Sequence, residues 1–335
     1  MAGTVRILSI DGGGIRGLIP AVLLEWLEAR IGRPISETFH LIAGTSTGGI
    51  LAAGLCAPRG GGPRFSAADL VGFYRDDGPE IFHSGLWHGV ASLGGTVDER
   101  YPADALERVL QRRFGDLSLS QARTELLITS YDLERRNPHF FKSWKARGER
   151  LRGQESAAQR EFRLRDVARA TSAAPTYFEP AWVRNAAGER FALVDGGVFA
   201  NNPAMCAVAS ARALYPKAGR YLIVSLGTGQ AQRPIPYDQA RDWGLIGWAR
   251  PILSVIFDGV SDTVDYQLIQ QFPRGYHRFQ TDLSAGVNDD MDDADPDNLR
   301  RLQAKAEDLI QTRREDLRRL VRQLRRAPDP RPEFS

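Results

Sequence analysis

The chain has 335 residues, of which 42% are apolar and 25% charged, and its formal net charge is +3. That balance is ordinary for a soluble globular protein and gives no electrostatic case for a nucleic acid polymer as partner. No apolar run is long enough to span a bilayer, and Cys56 and Cys206 sit in apolar helical contexts that argue for buried thiols and against a disulfide framework.

The N-terminus runs directly into a short buried strand, Val5 to Ile10, so no signal peptide is expected and the predicted location is cytoplasmic. Asp11-Gly12-Gly13-Gly14-Ile15-Arg16-Gly17 follows at once, and Leu18 to Ile31 carries Leu23, Leu24, Leu27 and Ile31 at helical spacing. A glycine run between a strand and a helix presents bare backbone N–H groups, which suit a phosphate or the oxyanion of an acyl-transfer intermediate. The run also fits G-x-G-x-x-G. A dinucleotide site would need a strand ending in an acidic residue about 20 residues further on. Glu37 falls near that distance, but no β-branched strand leads into it. That makes the dinucleotide reading the weaker one, and a sugar-kinase-like phosphate loop weaker still.

The next apolar stretch, Phe39 to Ala43, ends in Gly44-Thr45-Ser46-Thr47-Gly48, and small residues continue to Gly54. Strand, sharp turn, nucleophile and helix is the arrangement this predicts. Flanking glycines permit a strained turn that presents the serine hydroxyl, and the start of a helix favours a developing alkoxide. Gly60 to Pro63 reads as a flexible connector. The apolar, glycine-rich segment 84–95 reads as a mobile lid, a membrane-touching loop or a buried irregular connection.

Strands at Leu126–Ser130 and Tyr221–Ser225 are expected to complete a parallel sheet, with a further strand at Phe140–Trp144 and a turn at Gly227-Thr228-Gly229. Phe191 to Val194 is an apolar strand that delivers Asp195, and Gly196 and Gly197 turn the chain toward Asn201-Asn202-Pro203 and a helix to Leu214. Parallel strands gather their ends along one edge, where ligands bind, so Asp195 can reach Ser46. Alternatively, Asp195 caps a turn.

Trp243 to Val260 reads as a tryptophan-rich amphipathic stretch that covers a pocket, meets a bilayer interface, pairs with another subunit or packs in the core. The aspartate-rich segment Asn288 to Asp297 lacks the spacing of a calcium loop and reads as a solvated loop capping the next helix. That helix, Asn298 to Arg326, carries Leu302, Leu309, Leu317, Leu320 and Leu324 among many arginines. It can dock on the domain, join a partner helix or meet anionic lipid. The expected organisation is a core over residues 1–230, an extension over 231–326 and a disordered tail over 327–335.

Asp-Gly-Gly-Gly-Ile-Arg-Gly, Gly-Thr-Ser-Thr-Gly-Gly and Asp-Gly-Gly, in this order, resemble the motifs of the patatin-like phospholipase family. Thr171 to Phe178 resembles that family's block ahead of the aspartate strand, and the likeness spans roughly residues 5 to 230. The resemblance implies a three-layer α/β sandwich with a mainly parallel central sheet. It also implies that Ser46 is the nucleophile and Asp195 the general base, with Gly12, Gly13 and Gly14 as the oxyanion hole and Arg16 beside it. Gly17, Gly44, Gly48, Gly196 and Gly197 would be turn glycines, and no metal or cofactor is called for.

The substrate implied is membrane phospholipid, reached by transient contact at the inner membrane surface. The layout further resembles bacterial effectors, among them those of antiviral defence, that degrade phospholipids when a cyclic nucleotide binds. A cyclic nucleotide activator and a homo-oligomer are therefore expectations to test. A carboxylate can serve as base if partial burial raises its pKa. The rival is a Ser-Asp-His triad. Of His40, His83, His88, His139 and His277, only His277 follows Asp195. From another class, the alternative is a nucleotide- or phosphate-binding protein using the glycine loops.

Overall fold

The computed structural model describes residues 3–82, 101–231, 234–248, 251–283 and 287–326. Segment 84–95 and the tail 327–335 lie outside the described residues. Eight strands build the central sheet: β1 (Thr4–Ile10), β2 (Leu41–Thr45), β3 (Glu125–Asp132), β4 (Asn137–Lys142), β5 (Ala181–Arg184), β6 (Arg190–Asp195), β7 (Arg220–Leu226) and β8 (Tyr276–Phe279). The order is β8-β7-β1-β2-β3-β6-β5, with β4 also on β3. Strands β8, β7, β1, β2 and β3 are parallel.

The main helices are α1 (Leu18–Ile31), α2 (Thr47–Cys56), α3 (Asp104–Phe114), α4 (Leu164–Thr171), α5 (Ala204–Leu214), α6 (Pro251–Gln271), α7 (Pro296–Thr312) and α8 (Arg314–Arg326). Alternation along the strands sorts the core into two faces. Leu8, Ile10, Ile42 and Val224 point to the α1 and α2 side, whereas Val5, Ile7, Ala43 and Ile223 pack against Ala207, Val208 and Ala211 of α5. The protein is thus a three-layer α/β sandwich around a mainly parallel sheet.

Three expectations need correction. The aspartate strand β6 is antiparallel to β3, with Ser130 opposite Asp195. β2 pairs with β3 only as far as Thr45 opposite Thr129, and β4 occupies the other edge of β3 over Leu127–Asp132. β6 therefore takes over the edge that β2 vacates, and Asp195 arrives head-on at the level where β2 turns into Ser46. Opposed strand ends, not parallel ones, bring the two residues together.

The strand expected over Phe140–Trp144 ends at Lys142, because Ser143 starts a short helix, Ser143–Ala146. The expected single helix from Asn298 breaks at Arg313 into α7 and α8. Leu302, Leu309, Leu317, Leu320 and Leu324 are all buried in the main core, so its apolar face is already covered by this chain. From the segment after residue 230, β8 joins the central sheet beside β7.

The glycine connector forms a small ladder, Pro58–Arg59 with Gly62–Pro63. In the aspartate-rich loop Asp295 does cap α7, accepting the Asp297 N–H at 2.8 Å. Asp292, however, is buried and accepts from the Tyr101 hydroxyl at 2.9 Å. The tryptophan-rich stretch becomes a short helix, Leu245–Trp248, and then α6. Leu253 and Phe257 of α6 are buried, while Ile252 and Val255 are exposed. Among the described residues, no helix is long and apolar enough to cross a membrane.

Candidate active site

Ser46 occupies the N-cap of α2 with φ 55° and ψ −126°, a conformation that L-residues rarely adopt. The turn is possible only because its neighbours lack side chains. A Cβ on Gly44 would fall 2.1 Å from the Gly48 carbonyl oxygen, and one on Gly48 would fall 2.2 Å from that of Ile10. Threonines then hold the strained turn in place. The Ser46 N–H donates to Thr171 Oγ1 at 2.8 Å, and the Thr171 hydroxyl donates to Thr129 O at 2.6 Å. Thr45 Oγ1 donates to Ala200 O at 2.6 Å. The block after Thr171 serves the other partner too, since Ala173 O accepts the Asp195 N–H at 2.9 Å.

Asp195 is fully buried. Its Oδ1 accepts the Gly197 N–H at 2.7 Å, whereas Oδ2 is buried and meets no full hydrogen bond among the described residues. Burial pushes its carboxyl up to about 7, although the Ser46 hydroxyl and the Gly197 N–H each favour the ionised form. A carboxylate in this state is poised as a base near neutral pH. Gly196 packs against the Thr129 backbone, and Gly197 faces the Phe257 ring.

The glycine loop stands beside Ser46. A Cβ on Gly12 would meet Ser46 Cβ at 3.1 Å and Asn201 Oδ1 at 2.3 Å. The expectation that all three loop glycines offer free donors does not hold at Gly12, whose N–H is taken by Asn201 O at 3.1 Å. Gly13 and Gly14 N–H make no hydrogen bond among the described residues.

Both of their peptide planes are fixed from the opposite side. The Thr228 hydroxyl donates to Gly12 O at 2.7 Å. Arg16 donates to Gly13 O from Nε at 3.3 Å and from its backbone N–H at 3.2 Å. In a trans peptide the N–H points opposite the preceding carbonyl, so pinning these two oxygens sets the directions of the Gly13 and Gly14 donors. Arg16 is therefore buried beside the loop and acts on a carbonyl. Gly17 packs against the Thr47 and Tyr74 hydroxyls.

Ser46 and Asp195 line one cavity together with Gly14, and most of its other walls are apolar, among them Ile50, Phe73, Ile81, Phe178 and Phe257. Phe257 brings α6 to this wall, and Asn201 Nδ2 donates to Ser261 Oγ of the same helix at 3.1 Å. His277 does not join them. It lies in β8 at the sheet edge, among Gln323, Asp316 and Arg319 of α8. His40 precedes β2, at the opposite end from Ser46, and its Nδ1 accepts the Arg6 N–H at 2.9 Å.

Sequence reasoning missed Thr228, Thr171 and Asn201. Each stands in a segment whose turn or family likeness is legible in the sequence, and only the fold reveals what it holds.

The model of the patatin-like phospholipase family matches residues 8–208. "Patatin-like protein 2" of Arabidopsis thaliana is 33% identical over 91% of this chain and 83% of its own. "Probable inactive patatin-3-Kuras 1" of Solanum tuberosum is 32% identical over 91% of this chain and 86% of its own. A solved structure titled VipD from Legionella pneumophila is 12% identical, covers 93% of this chain and 67% of that one, and superposes with a TM-score of 0.41. The chain belongs to the patatin-like phospholipase family, a family of lipid acyl hydrolases.

Proposed function

We propose that this protein is a serine hydrolase that releases fatty acids from phospholipids through a Ser46–Asp195 dyad. The observation that carries the reading is the buried, unpaired Asp195 carboxylate oxygen beside Ser46 at the wall of an apolar cavity. Asp195 takes the hydroxyl proton as Ser46 Oγ attacks the ester carbonyl. The negative charge that develops on the carbonyl oxygen is met by the Gly13 and Gly14 N–H groups and by the N-terminal end of α2. Asp195 then returns the proton to the leaving alcohol. Water, activated by the same carboxylate, frees the fatty acid from the acyl-enzyme.

The apolar walls favour an acyl chain over a phosphate, and this sets the nucleotide-binding alternative behind the hydrolase. The cavity encloses only about 60 Å³, well below the ~300–1,000 Å³ of pockets that hold ligands of drug size. The test is fatty acid release from mixed phospholipid vesicles by wild type, Ser46→Ala, Asp195→Asn and His277→Ala, with and without a panel of cyclic dinucleotides. Loss in the first two variants alone supports the dyad. Equal loss in a folded His277→Ala would replace it with a triad. Release that requires one nucleotide would add an activator, and tight nucleotide binding without any release would sink the hydrolase reading.

A further inference from the structure

The glycine loop beside Ser46 is held largely by residues far downstream of the family's motifs. Asp11, the first residue of the loop, has a side chain only 2% exposed, and Arg278 of β8 reaches it with Nη2 2.6 Å from Oδ2. The same guanidinium donates from Nη1 to Ser225 Oγ at 2.8 Å. One planar fork thus ties the loop's origin to the end of β7.

Gln280, two residues on, accepts the Gly229 N–H at 2.8 Å. That contact steadies the turn whose Thr228 hydroxyl holds Gly12 O. Met291 O accepts the Ile15 N–H at 2.8 Å, and a Cβ on Gly14, which has φ +59°, would fall 2.0 Å from that oxygen. Residues 278, 280 and 291 therefore converge on both ends of the loop.

We propose that Arg278 is a positioning residue of the hydrolysis: by holding Asp11 it fixes the glycine loop, and hence the aim of the Gly13 and Gly14 N–H groups. This inference rests on the hydrolase reading above. Asp11 Oδ1 is buried and has no hydrogen-bond partner among the described residues, so Arg278 supplies the main compensation for the carboxylate. Burial raises the Asp11 carboxyl to about 6, Arg278 pulls it down, and Asp262 and Asp265 of α6 push it up. Without the guanidinium, a buried carboxylate takes up a proton or moves toward water. Either change displaces the residue joined directly to Gly12. A misplacement of about 1 Å at a catalytic group costs on the order of 100-fold in rate.

Arg278→Lys tests this, because lysine keeps the charge but cannot span Asp11 and Ser225 with a rigid fork. On a soluble short-chain ester, kcat should fall about 10- to 100-fold with KM nearly unchanged. Affinity for a trifluoromethyl ketone, which forms a tetrahedral oxyanion on Ser46, should fall by the same factor. Amide hydrogen exchange should accelerate in the peptide covering residues 8–18 and not in peptides from α5. Wild-type kcat together with wild-type exchange at residues 8–18 would overturn the proposal. The exchange arm does not depend on turnover. If the wild type hydrolyses nothing, the hydrolase reading fails while the exchange result still decides whether Arg278 holds the loop. Should Arg278→Lys not fold, Ser225→Ala removes one anchor and keeps the ion pair. It should show the same pattern at smaller size, and no change in either readout would equally overturn the proposal.

Discussion

Asp195→Asn should destroy activity and, above neutral pH, stabilise the protein. The wild-type carboxyl is fully buried and pushed up to about 7 from an ordinary 3.8. A folded-state pKa above the unfolded one means that the native protein holds the proton more tightly. Stability therefore falls as pH rises from about 4 to about 7 and levels off beyond. Once ionised, a carboxyl held that far above its free value costs the folded state about 4 kcal/mol.

Asparagine keeps an oxygen to accept the Gly197 N–H and places an uncharged amide where Oδ2 now lies without a full hydrogen bond. The variant escapes the cost of ionisation, so its stability advantage should widen by about 3 kcal/mol between pH 5 and pH 8. Urea denaturation of both proteins at the two pH values measures this directly. Asp11, raised to about 6, has the same sign, but it is common to both proteins and cancels in the difference. An advantage that stays constant with pH, or that narrows as pH rises, would refute the claim that Asp195 is held as a desolvated base.

Three further outcomes follow from the geometry. Thr228→Val removes the donor that pins Gly12 O. It should lower kcat about 10-fold in ester assays while KM holds, because the loop loses aim and not the binding surface. His277→Ala should keep hydrolysis within about 2-fold of wild type, since the imidazole faces α8 and makes no contact with Ser46 or Asp195. Phe257→Ala takes a ring from the wall opposite Gly197. It should shift preference toward longer acyl chains in a chain-length series at fixed head group, and an unchanged profile would mean that the acyl chain lies elsewhere.

Much of the site was legible because its residues obey local rules. Ser46 sits between glycines that the strained turn requires, and Asp195 ends an apolar strand ahead of two glycines. The extent of α1, Leu18 to Ile31, followed from the helical spacing of its apolar residues. The direction of β6 was not legible, because an apolar run reads alike in either orientation and only the edge vacated by β2 decides it. The break at Arg313 was hidden by a leucine pattern that continues across it. The Gly12 N–H is engaged by Asn201 and the Gly12 carbonyl by Thr228, and both partners are remote in sequence. Tertiary hydrogen bonds leave no periodic trace, which is why the motif-bearing residues, Arg16 among them, were legible and the remote partners Thr228 and Asn201 were not.

In the proposed mechanism Ser46 becomes an acylated nucleophile activated by Asp195. Intact-mass and peptide mass spectrometry after treatment with a fluorophosphonate tests it most directly. A single adduct on Ser46 is predicted, absent in Ser46→Ala and formed at least ~100-fold more slowly in Asp195→Asn, the scale on which loss of a general base acts. An adduct on another residue, or undiminished labelling of Ser46 in Asp195→Asn, would contradict the account.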